Sequence, residues 1–364
     1  MKIAFLHTAF TTWGGIERVW IEKMNYLATY YGHDIFMITS DQGSHTIPYP
    51  VNKRIHLCDM DIRMYTQYKY SGLRRLKERH RLSKLYEERL RQMLLDIHPD
   101  ILVCTSTQDM RQLLRVKGNI PVVVESHLNF SHPGTLWNRL LTRFNNHYAG
   151  KADAVVTLTN GDAKNWLRVS KNVHVIPNIV HLNDTGTYSD CTNKQAIFVG
   201  RLAKEKALDE MTRIWRQINI SFPDWQLHLY GDGIMPSQPD IQLFVHPATS
   251  EPFERYKESS ILLLTSKFES FGLVLPEAMS CGIPVVSYDC PYGPASIITD
   301  GKDGFLIPSR NEQLYVERVA QLISNLNLRQ RMGIQGITSA QRYRAETIMQ
   351  QWDELYRSLM PAGN

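Results

Sequence analysis

The stretch that most clearly indicates a fold is residues 268–282, which read FESFGLVLPEAMSCG. It follows the apolar, strand-like run 261–265, and its second half is predicted to be a helix that Gly282 ends. Ser270 is a candidate N-cap, and Gly272 would let a ligand approach the backbone closely. A buried strand that turns directly into a helix is the unit from which helix-covered parallel sheets are built.

Two carboxylates lie in this stretch, Glu269 and Glu277, with seven residues between them. The free backbone amides of Phe271, Gly272 and Leu273 at the predicted helix start would suit an anion. Within the helix, an ionised Glu277 can accept two hydrogen bonds from a vicinal diol such as that of ribose. Taken alone, either glutamate is better explained as an ordinary surface residue.

A second segment with the character of a site is residues 200–206, which read GRLAKEK and follow the strand-like run 196–200. Arg201 and Lys206 could together neutralise a diphosphate without a metal ion. A solvated basic turn is the better explanation of this segment alone. Because ligands of doubly wound sheets bind beyond the carboxyl ends of the strands, the two segments together favour a site for a nucleotide diphosphate.

The chain of 364 residues is too long for one typical hydrophobic core and predicts two domains. Strand-like runs alternate with helix-length segments on both sides of a polar, turn-rich stretch. These runs are residues 2–7, 35–39, 101–105, 122–125, 155–159, 196–200, 226–231, 242–246, 261–265 and 284–288. We expect an α/β protein with one doubly wound domain at 1–180, a linker at 181–194 and a second such domain at 195–344. Residues 345–364 would form a helix that packs back toward the first domain.

The composition is that of a folded globular chain, with 43% hydrophobic and 21% charged residues. No apolar run approaches the roughly 20 residues that cross a bilayer, and the apolar stretch near the N terminus is too short for a signal peptide. We therefore expect a cytoplasmic protein. The five cysteines are an odd number without metal-ligand spacing, which argues against a disulfide framework or a zinc site.

The net charge of +5 is unevenly distributed. Residues 1–180 hold 24 Lys/Arg against 15 Asp/Glu, a net +9, whereas residues 181–364 hold 17 against 21, a net −4. Residues 74–91 and 137–148 combine basic residues with apolar ones at helical spacing, as in helices that lie on anionic lipid. Solvated faces of core-packed helices explain both segments about as well, and no recognised nucleic-acid motif accompanies them.

These features together resemble the retaining glycosyltransferases of family four. The resemblance depends on the Glu269 and Glu277 pair, the turn at 200–206, and Gly14-Gly15 after the first strand. Residues 175–178 (VIPN) are similar to the interdomain junction of that family, and residues 290–294 (CPYGP) to a segment of members that build bacterial surface polysaccharides. The resemblance implies the GT-B fold, in which two Rossmann-like domains face an interdomain cleft.

The resemblance also implies a role for each motif residue. Arg201 and Lys206 would hold the donor pyrophosphate, and Glu277 would hold the ribose hydroxyls. Glu269 would contact the transferred sugar, beside His127, which follows a strand and taken alone is better explained as a polar loop residue. Further donor contacts would come from Gly14, Gly15, Ser270, Phe271, Gly272 and Leu273.

Two positions depart from the family pattern. The glycine that usually follows the phosphate-binding lysine is Ala207 here, which is a mild change if that backbone is helical. Ser296 replaces an acidic residue often found after the Gly-Pro pair, so no carboxylate contact is expected there.

The resulting hypothesis is a retaining transferase that moves a hexose or N-acetylhexosamine from a nucleotide diphosphate sugar. A UDP-sugar is favoured over a GDP-sugar, and the resemblance implies a glycan or lipid-linked glycan acceptor in surface polysaccharide biosynthesis. The protein would bind no nucleic acid and could lie peripherally at the inner face of the membrane. The alternatives are a sugar-nucleotide epimerase on the same fold and a non-enzymatic protein that binds nucleotide sugars or nucleic acid.

No metal ion or other cofactor is expected. Asp59 and Asp61 match the Asp-x-Asp motif of metal-dependent glycosyltransferases with another fold. Two acids at this spacing are frequent by chance, and the segment lacks phosphate-binding residues around it. We therefore interpret it as a loop.

Overall fold

The computed structural model describes residues 1–12, 14–105, 110–127, 130, 136–234 and 241–360. The chain divides into two compact units. The first unit comprises Met1–Ile179 together with Ile348–Asn364, and the second comprises Val180–Thr347. The C-terminal segment therefore groups with the N-terminal one.

In the described residues, the first unit contains one parallel sheet of seven strands. The strands are β1 (Lys2–His7), β2 (Asp34–Thr39), β3 (His56–Asp59), β4 (Ile101–Cys104), β5 (Val122–Ser126), β6 (Ala154–Thr157) and β7 (Val173–Val175). Their spatial order is β3-β2-β1-β4-β5-β6-β7. The helices between them are α1 (Gly15–Tyr30), α2 (Gly72–Ile97), α3 (Met110–Val116), α4 (Leu136–Ala149) and α5 (Asn160–Trp166). The central strands β4 and β5 are buried along their whole length, as expected for a sheet covered on both faces.

The described part of the second unit contains a parallel sheet of six strands. The strands are β8 (Gln195–Val199), β9 (Gln226–Tyr230), β10 (Leu243–His246), β11 (Ile261–Leu264), β12 (Val285–Tyr288) and β13 (Gly304–Ile307), in the order β10-β9-β8-β11-β12-β13. The helices of this part of the chain are α6 (Leu208–Ser221), α7 (Pro252–Lys257), α8 (Val274–Ser280), α9 (Pro294–Ile297), α10 (Glu312–Ser324), α11 (Leu326–Ala340) and α12 (Ala345–Leu359). From Ile348 onward, α12 belongs to the first unit.

The prediction of two Rossmann-like α/β units is confirmed by this topology. Three strands were absent from the prediction: β3, β7 and β13. Each lies at an edge of its sheet. An edge strand is paired on one side only, and short edge strands do not need the continuous apolar run that marks a central parallel strand. β3 is largely exposed and β7 has only three residues, so neither produces a periodic signal.

Residues 181–194, for which the sequence predicts a linker, lie within the second unit. The Asn183 amide donates to the Ser280 hydroxyl at 3.0 Å, and the Ser189 amide donates to the Cys281 carbonyl at 2.9 Å. The segment thus packs against the C-terminal end of α8. Its polar, aperiodic sequence reflects local hydrogen bonds, such as that from the Asn183 side chain to the Thr187 carbonyl at 2.7 Å.

Helix α8, which carries Glu277, is packed closely against α11. At Gly333 on α11, a Cβ atom would lie 1.9 Å from the Gly282 carbonyl oxygen, which is far inside van der Waals contact. At Gly336 on the same helix, a Cβ atom would lie 3.4 Å from the Met279 Cβ, an ordinary contact distance. Gly333 therefore lets α11 approach the backbone that follows the end of α8.

Gly333→Ala should lower the free energy of unfolding by about 1–3 kcal/mol, because the new methyl group must push α11 away from backbone. Gly336→Ala is the matched control. It should leave stability unchanged or raise it by up to about 1 kcal/mol through its helix propensity. Urea denaturation followed by circular dichroism measures both, and equal effects of the two variants would contradict the close approach at Gly333.

Candidate active site

Glu269 and Lys206 meet in the second unit, although 63 positions separate them in the sequence. The Lys206 ammonium forms an ion pair with Glu269 Oε1, and both side chains are largely buried. The Ser266 hydroxyl donates to the same oxygen at 2.7 Å. Among the described residues Glu269 Oε2 has no protein partner, so one carboxylate oxygen is fixed and the other is available to a ligand.

The backbone of Glu269 is held by the segment at 291–293. Its amide donates to the Pro291 carbonyl at 3.0 Å, and its carbonyl accepts from the amides of Tyr292 and Gly293, both at 2.8 Å. Gly293 is required at this point because a Cβ there would lie 2.0 Å from the Phe271 carbonyl oxygen. The segment that resembles a family motif therefore positions the loop that carries Glu269.

The loop at 270–273 differs from its prediction in one respect. Helix α8 begins at Val274 with Leu273 as its N-cap residue, so Ser270 is not the N-cap. Gly272 has φ +93°, a left-handed conformation that glycine adopts without strain. Because this conformation is not helical, α8 cannot extend back to Ser270. Within the part of the chain that the structure describes, the amides of residues 270–273 donate to no protein acceptor. The four amides therefore lie in a loop before α8 and not in the first turn of a helix.

Glu277 is buried in the first turn of α8 and is not a surface residue. Its Oε2 lies 3.4 Å from the Tyr256 hydroxyl, which can donate to it. Phe271 is buried as well and packs edge-on against the ring of Tyr343. Its side chain therefore belongs to the core, and only its backbone can serve a ligand.

Arg201 lies in the loop after β8. Its side chain is 80% exposed, and its guanidinium donates to Glu205 at 3.1 Å. A guanidinium with this exposure can turn to meet a ligand at little cost, since exposed ion pairs contribute little free energy.

Ala207 follows Lys206 with φ +51° and ψ +47°. The expectation that alanine is a mild change here assumed a helical backbone, and the left-handed conformation shows that assumption to be wrong. An L-residue in this conformation is strained by about 1–2 kcal/mol. Ser296, the other departure, donates to the Tyr292 carbonyl at 3.4 Å and so supports the segment that holds Glu269.

In the first unit, Gly14 is the N-cap residue of α1 and Gly15 is its first residue. A Cβ at Gly14 would lie 2.1 Å from Glu17 Oε2, and the Tyr49 hydroxyl donates to the Gly14 carbonyl at 3.2 Å. The two glycines thus lie at the loop that follows β1, on the edge of the sheet where parallel strands end.

His127 follows β5 at the same edge of this sheet and is buried. Its Nε2 lies 3.0 Å from Glu125 Oε2, and Trp20 Nε1 lies 3.0 Å from that same oxygen. Lys23 forms a buried ion pair with Glu125 at 2.6 Å. Trp20, Lys23, Glu125 and His127 form a buried cluster. It connects His127 to α1, the helix that begins at Gly14-Gly15.

Lys23, Glu125 and Trp20 are neighbours of the candidate residue His127 that the sequence did not identify. One signal could have found the lysine. It lies on the apolar face of α1 beside Val19, Trp20 and Met24, where a charged residue needs a buried partner. Nothing in the sequence indicates that the partner is 102 positions away.

Asp59 and Asp61 have structural partners. Asp59 ends β3 and accepts from the Thr39 hydroxyl at 2.9 Å and the Gly43 amide at 2.9 Å. These hydrogen bonds hold its pKa below the ordinary value although burial opposes them. Asp61 pairs with Arg63 at 2.6 Å. Both carboxylates therefore stabilise the loop after β3.

The two basic segments of the first unit expose apolar side chains. On α4, one face carries Leu136, Trp137, Leu140, Leu141 and Phe144, all of which are exposed. On α2, Leu73 and Leu76 in the first turns are exposed too. The explanation that these are solvated faces of core-packed helices does not hold for α4, because its apolar face is the solvated one. None of the helices formed by the described residues combines the length and apolar character needed to span a bilayer.

Two family models match consecutive parts of the chain. Residues 13–184 match Glycosyltransferase Family 4, and residues 187–338 match Glycosyl transferases group 1. The chain is a glycosyltransferase, and its residues 13–184 are similar to family four. Both descriptions favour transfer chemistry over the epimerase and binding-protein alternatives.

Two relatives match this glycosyltransferase over nearly its full length. It is 27% identical to an uncharacterized glycosyltransferase of Haemophilus influenzae, covering 96% of this chain and 98% of that one. It is 24% identical to the amylovoran biosynthesis glycosyltransferase AmsD of Erwinia amylovora, over 97% and 99% of the two chains. A solved structure of Staphylococcus aureus TarM, a mutant in complex with fondaparinux, α-GlcNAc-glycerol and UDP, superposes with a TM-score of 0.78 at 14% identity. That superposition covers 98% of this chain and 99% of the other, and it confirms the GT-B fold.

Ala207→Gly should raise the free energy of unfolding by up to about 1 kcal/mol, because glycine relieves the left-handed strain while adding some flexibility to the unfolded chain. Ala203→Gly in the same turn is the control. Ala203 has φ −129°, so glycine relieves no strain there and should lower stability by about 0.5–1 kcal/mol. Chemical denaturation measures the free energy of unfolding of both variants. A loss of stability in both would contradict the strain at Ala207.

Proposed function

We propose that this glycosyltransferase moves a hexose or N-acetylhexosamine from a UDP-sugar to a glycan or lipid-linked glycan in surface polysaccharide biosynthesis, with retention at the anomeric carbon. The observation that carries the proposal is the ion pair of Lys206 with Glu269 beside four loop amides that donate to no acceptor among the described residues. The name of the Erwinia amylovora relative, which refers to amylovoran biosynthesis, supports the polysaccharide assignment. The UDP in the TarM complex supports the nucleotide.

Lys206 can serve both Glu269 and the donor, since an ammonium group has three hydrogen-bond donors. With one directed to Glu269, the others can meet an oxygen of the diphosphate. Arg201 would supply the second positive charge after leaving Glu205. The two cations would then neutralise the diphosphate, and we propose no metal ion or other cofactor for this step.

The free oxygen of Glu269 would accept a hydrogen bond from a hydroxyl of the transferred sugar. Glu277, buried in α8, would accept hydrogen bonds from the ribose hydroxyls. The amides of Ser270, Phe271, Gly272 and Leu273 would meet donor phosphate or sugar hydroxyls. In the first unit, His127 would contact the donor sugar, and Gly14 and Gly15 would bring backbone against the phosphates.

The proposed reaction breaks the bond between the anomeric carbon and the diphosphate oxygen as the acceptor hydroxyl approaches from the same face. The bonding electrons remain with the diphosphate, and Lys206 and Arg201 stabilise the charge that grows there. The acceptor hydroxyl gives its proton to a diphosphate oxygen as its own oxygen bonds to the anomeric carbon. No separate protein base is needed in this scheme.

Lys206→Ala should lower kcat by roughly 10²–10³-fold, because the charge on the leaving group is greatest in the transition state. Lys204→Ala is the matched control, since Lys204 lies in the same turn but is exposed, and its kcat should not change. The assay uses the donor that a thermal-shift panel of UDP- and GDP-sugars selects. A Lys206→Ala enzyme with normal turnover and only a weaker donor complex would exclude the leaving-group role.

We further propose that the exposed apolar face of α4 rests on anionic lipid, where a lipid-linked acceptor would be found. Arg139 and Arg143 are exposed on the same helix, so cations accompany the apolar face. This combination is typical of helices that lie in the membrane interface.

Replacing Arg139 and Arg143 by Gln should weaken binding to phosphatidylglycerol vesicles by about 2 kcal/mol, or roughly 30-fold, since each cation near an anionic surface contributes about 1 kcal/mol. The control is Arg216→Gln with Arg331→Gln, which removes the same charge from exposed positions of the second unit. Vesicle sedimentation at low and high salt measures both. If wild-type protein does not sediment at low salt, this part of the proposal is wrong.

A further inference from the structure

The ion pair of Lys23 with Glu125 contacts His127 through the Glu125 carboxylate. It has no part in the reaction proposed above. The two side chains are only 2% and 3% exposed. Burying two charges costs solvation free energy, and an apolar pair of the same volume is often at least as stable. Stability alone therefore does not explain why this position of the core is charged.

The hydrogen bonds of the cluster converge on one oxygen atom. Glu125 Oε2 lies 2.6 Å from the Lys23 ammonium, 3.0 Å from Trp20 Nε1 and 3.0 Å from His127 Nε2. Glu125 Oε1 is buried and, among the described residues, has no partner. One oxygen of the carboxylate, Oε2, thus makes all of these contacts, and it lies next to the imidazole of His127.

This geometry decides which nitrogen of His127 carries the proton. An ionised carboxylate can only accept, so Nε2 is the nitrogen of His127 that donates to Glu125, and in the neutral imidazole Nδ1 then has the lone pair. Trp20 Nε1 also lies 3.2 Å from His127 Nε2, but its distance to the carboxylate oxygen is shorter, and hydrogen bonds to charged groups are stronger. Nδ1 has no hydrogen-bond partner within the described ranges.

The charges of the pair are consistent with this arrangement. Burial lowers the pKa of Lys23 to about 8, although Glu125 opposes that shift, so the ammonium form predominates at neutral pH. Burial by itself would raise the pKa of Glu125, but Lys23 and His127 together hold it below its ordinary value. A carboxylate that Lys23 neutralises can orient the imidazole without adding a net charge to the site.

Helix α12 completes the cluster. The Lys23 ammonium lies 3.4 Å from the centroid of the Trp352 ring, which covers it. The neighbouring residue, Asp353, is held by His33 at 3.0 Å and by Arg357 at 2.6 Å. The indole of Trp352 is therefore fixed over the ammonium group by the C-terminal helix.

We infer that Lys23, Glu125 and Trp352 are positioning residues that hold His127 with Nε2–H directed to Glu125 and Nδ1 left to accept a hydrogen bond from a sugar hydroxyl. The inference rests on the proposed function, in which His127 contacts the donor sugar. It adds that the C-terminal helix supports the active site through Lys23, which Trp352 covers.

The test uses the double variant Lys23→Met with Glu125→Gln, which removes both charges at nearly constant volume and so leaves the core filled. We expect its melting temperature to stay near that of the wild type, its donor dissociation constant by calorimetry to change little, and its kcat to fall on the order of 10–100-fold. The control is Arg115→Met with Glu87→Gln, which removes a more exposed ion pair of the same unit and should leave kcat unchanged.

A second measurement gives the tautomer directly. In protein labelled with ¹⁵N-histidine, the signals of His127, identified by their loss in His127→Asn, should show the Nε2–H form in the wild type and a changed tautomer population in the double variant. An Nδ1–H form in the wild type would overturn the inference even if the double variant did not fold. A double variant with wild-type kcat and an unchanged tautomer would overturn it too.

The two proposals fail in different ways. If His127→Asn is fully active, His127 has no role in transfer and the proposed function of that residue is wrong, while the tautomer measurement still decides the hydrogen-bond assignment. If His127→Asn is inactive but the double variant is as active as the wild type, the role of His127 stands and its positioning by Lys23 and Glu125 is wrong.

Discussion

All the strands paired in the two described sheets run parallel, so each sheet has its carboxyl ends at one edge. This constraint locates the candidate site residues of both units. In the second unit, the turn after β8 brings Lys206 to the loop after β11, where Glu269 lies. In the first unit, the loop after β1 leads into α1, and β5 ends at His127. Residues far apart in sequence meet because parallel strands deliver their following loops to the same place.

The two units use the same pairing of residue types, lysine with glutamate, under different conditions. The pair of Lys206 with Glu269 is partly accessible, and one oxygen of its carboxylate has no partner among the described residues. The pair of Lys23 with Glu125 is closed to solvent and covered by Trp352. A partly exposed pair can exchange partners when a ligand arrives. A buried pair cannot do so without great cost, and it is therefore suited to holding a neighbour in one orientation.

Much of the fold could be predicted because central parallel strands are buried on both faces and have continuous apolar sequences. The edge strands β3 and β7 lack that signal, and they were missed. Among the proposed site residues, Lys206, Glu269 and Glu277 were predicted from their positions after two strands and from a resemblance to a family. Lys23 and Glu125 were not found, because each is an ordinary charged residue until its burial is known. The start of α8 was misplaced at Ser270, since the left-handed backbone of Gly272 is not visible in composition.

The sequence by itself determined the alternation of strands and helices, the two-domain organisation and the membership in a glycosyltransferase family, all of which depend on local periodicity and short motifs. Only the tertiary structure decided which charges pair, that Glu277 is buried, that Ala207 is strained and that the apolar face of α4 is exposed. The physical reason is the same in each case. Burial, backbone conformation and partner choice are properties of residues brought together from distant parts of the chain, and no local pattern records them.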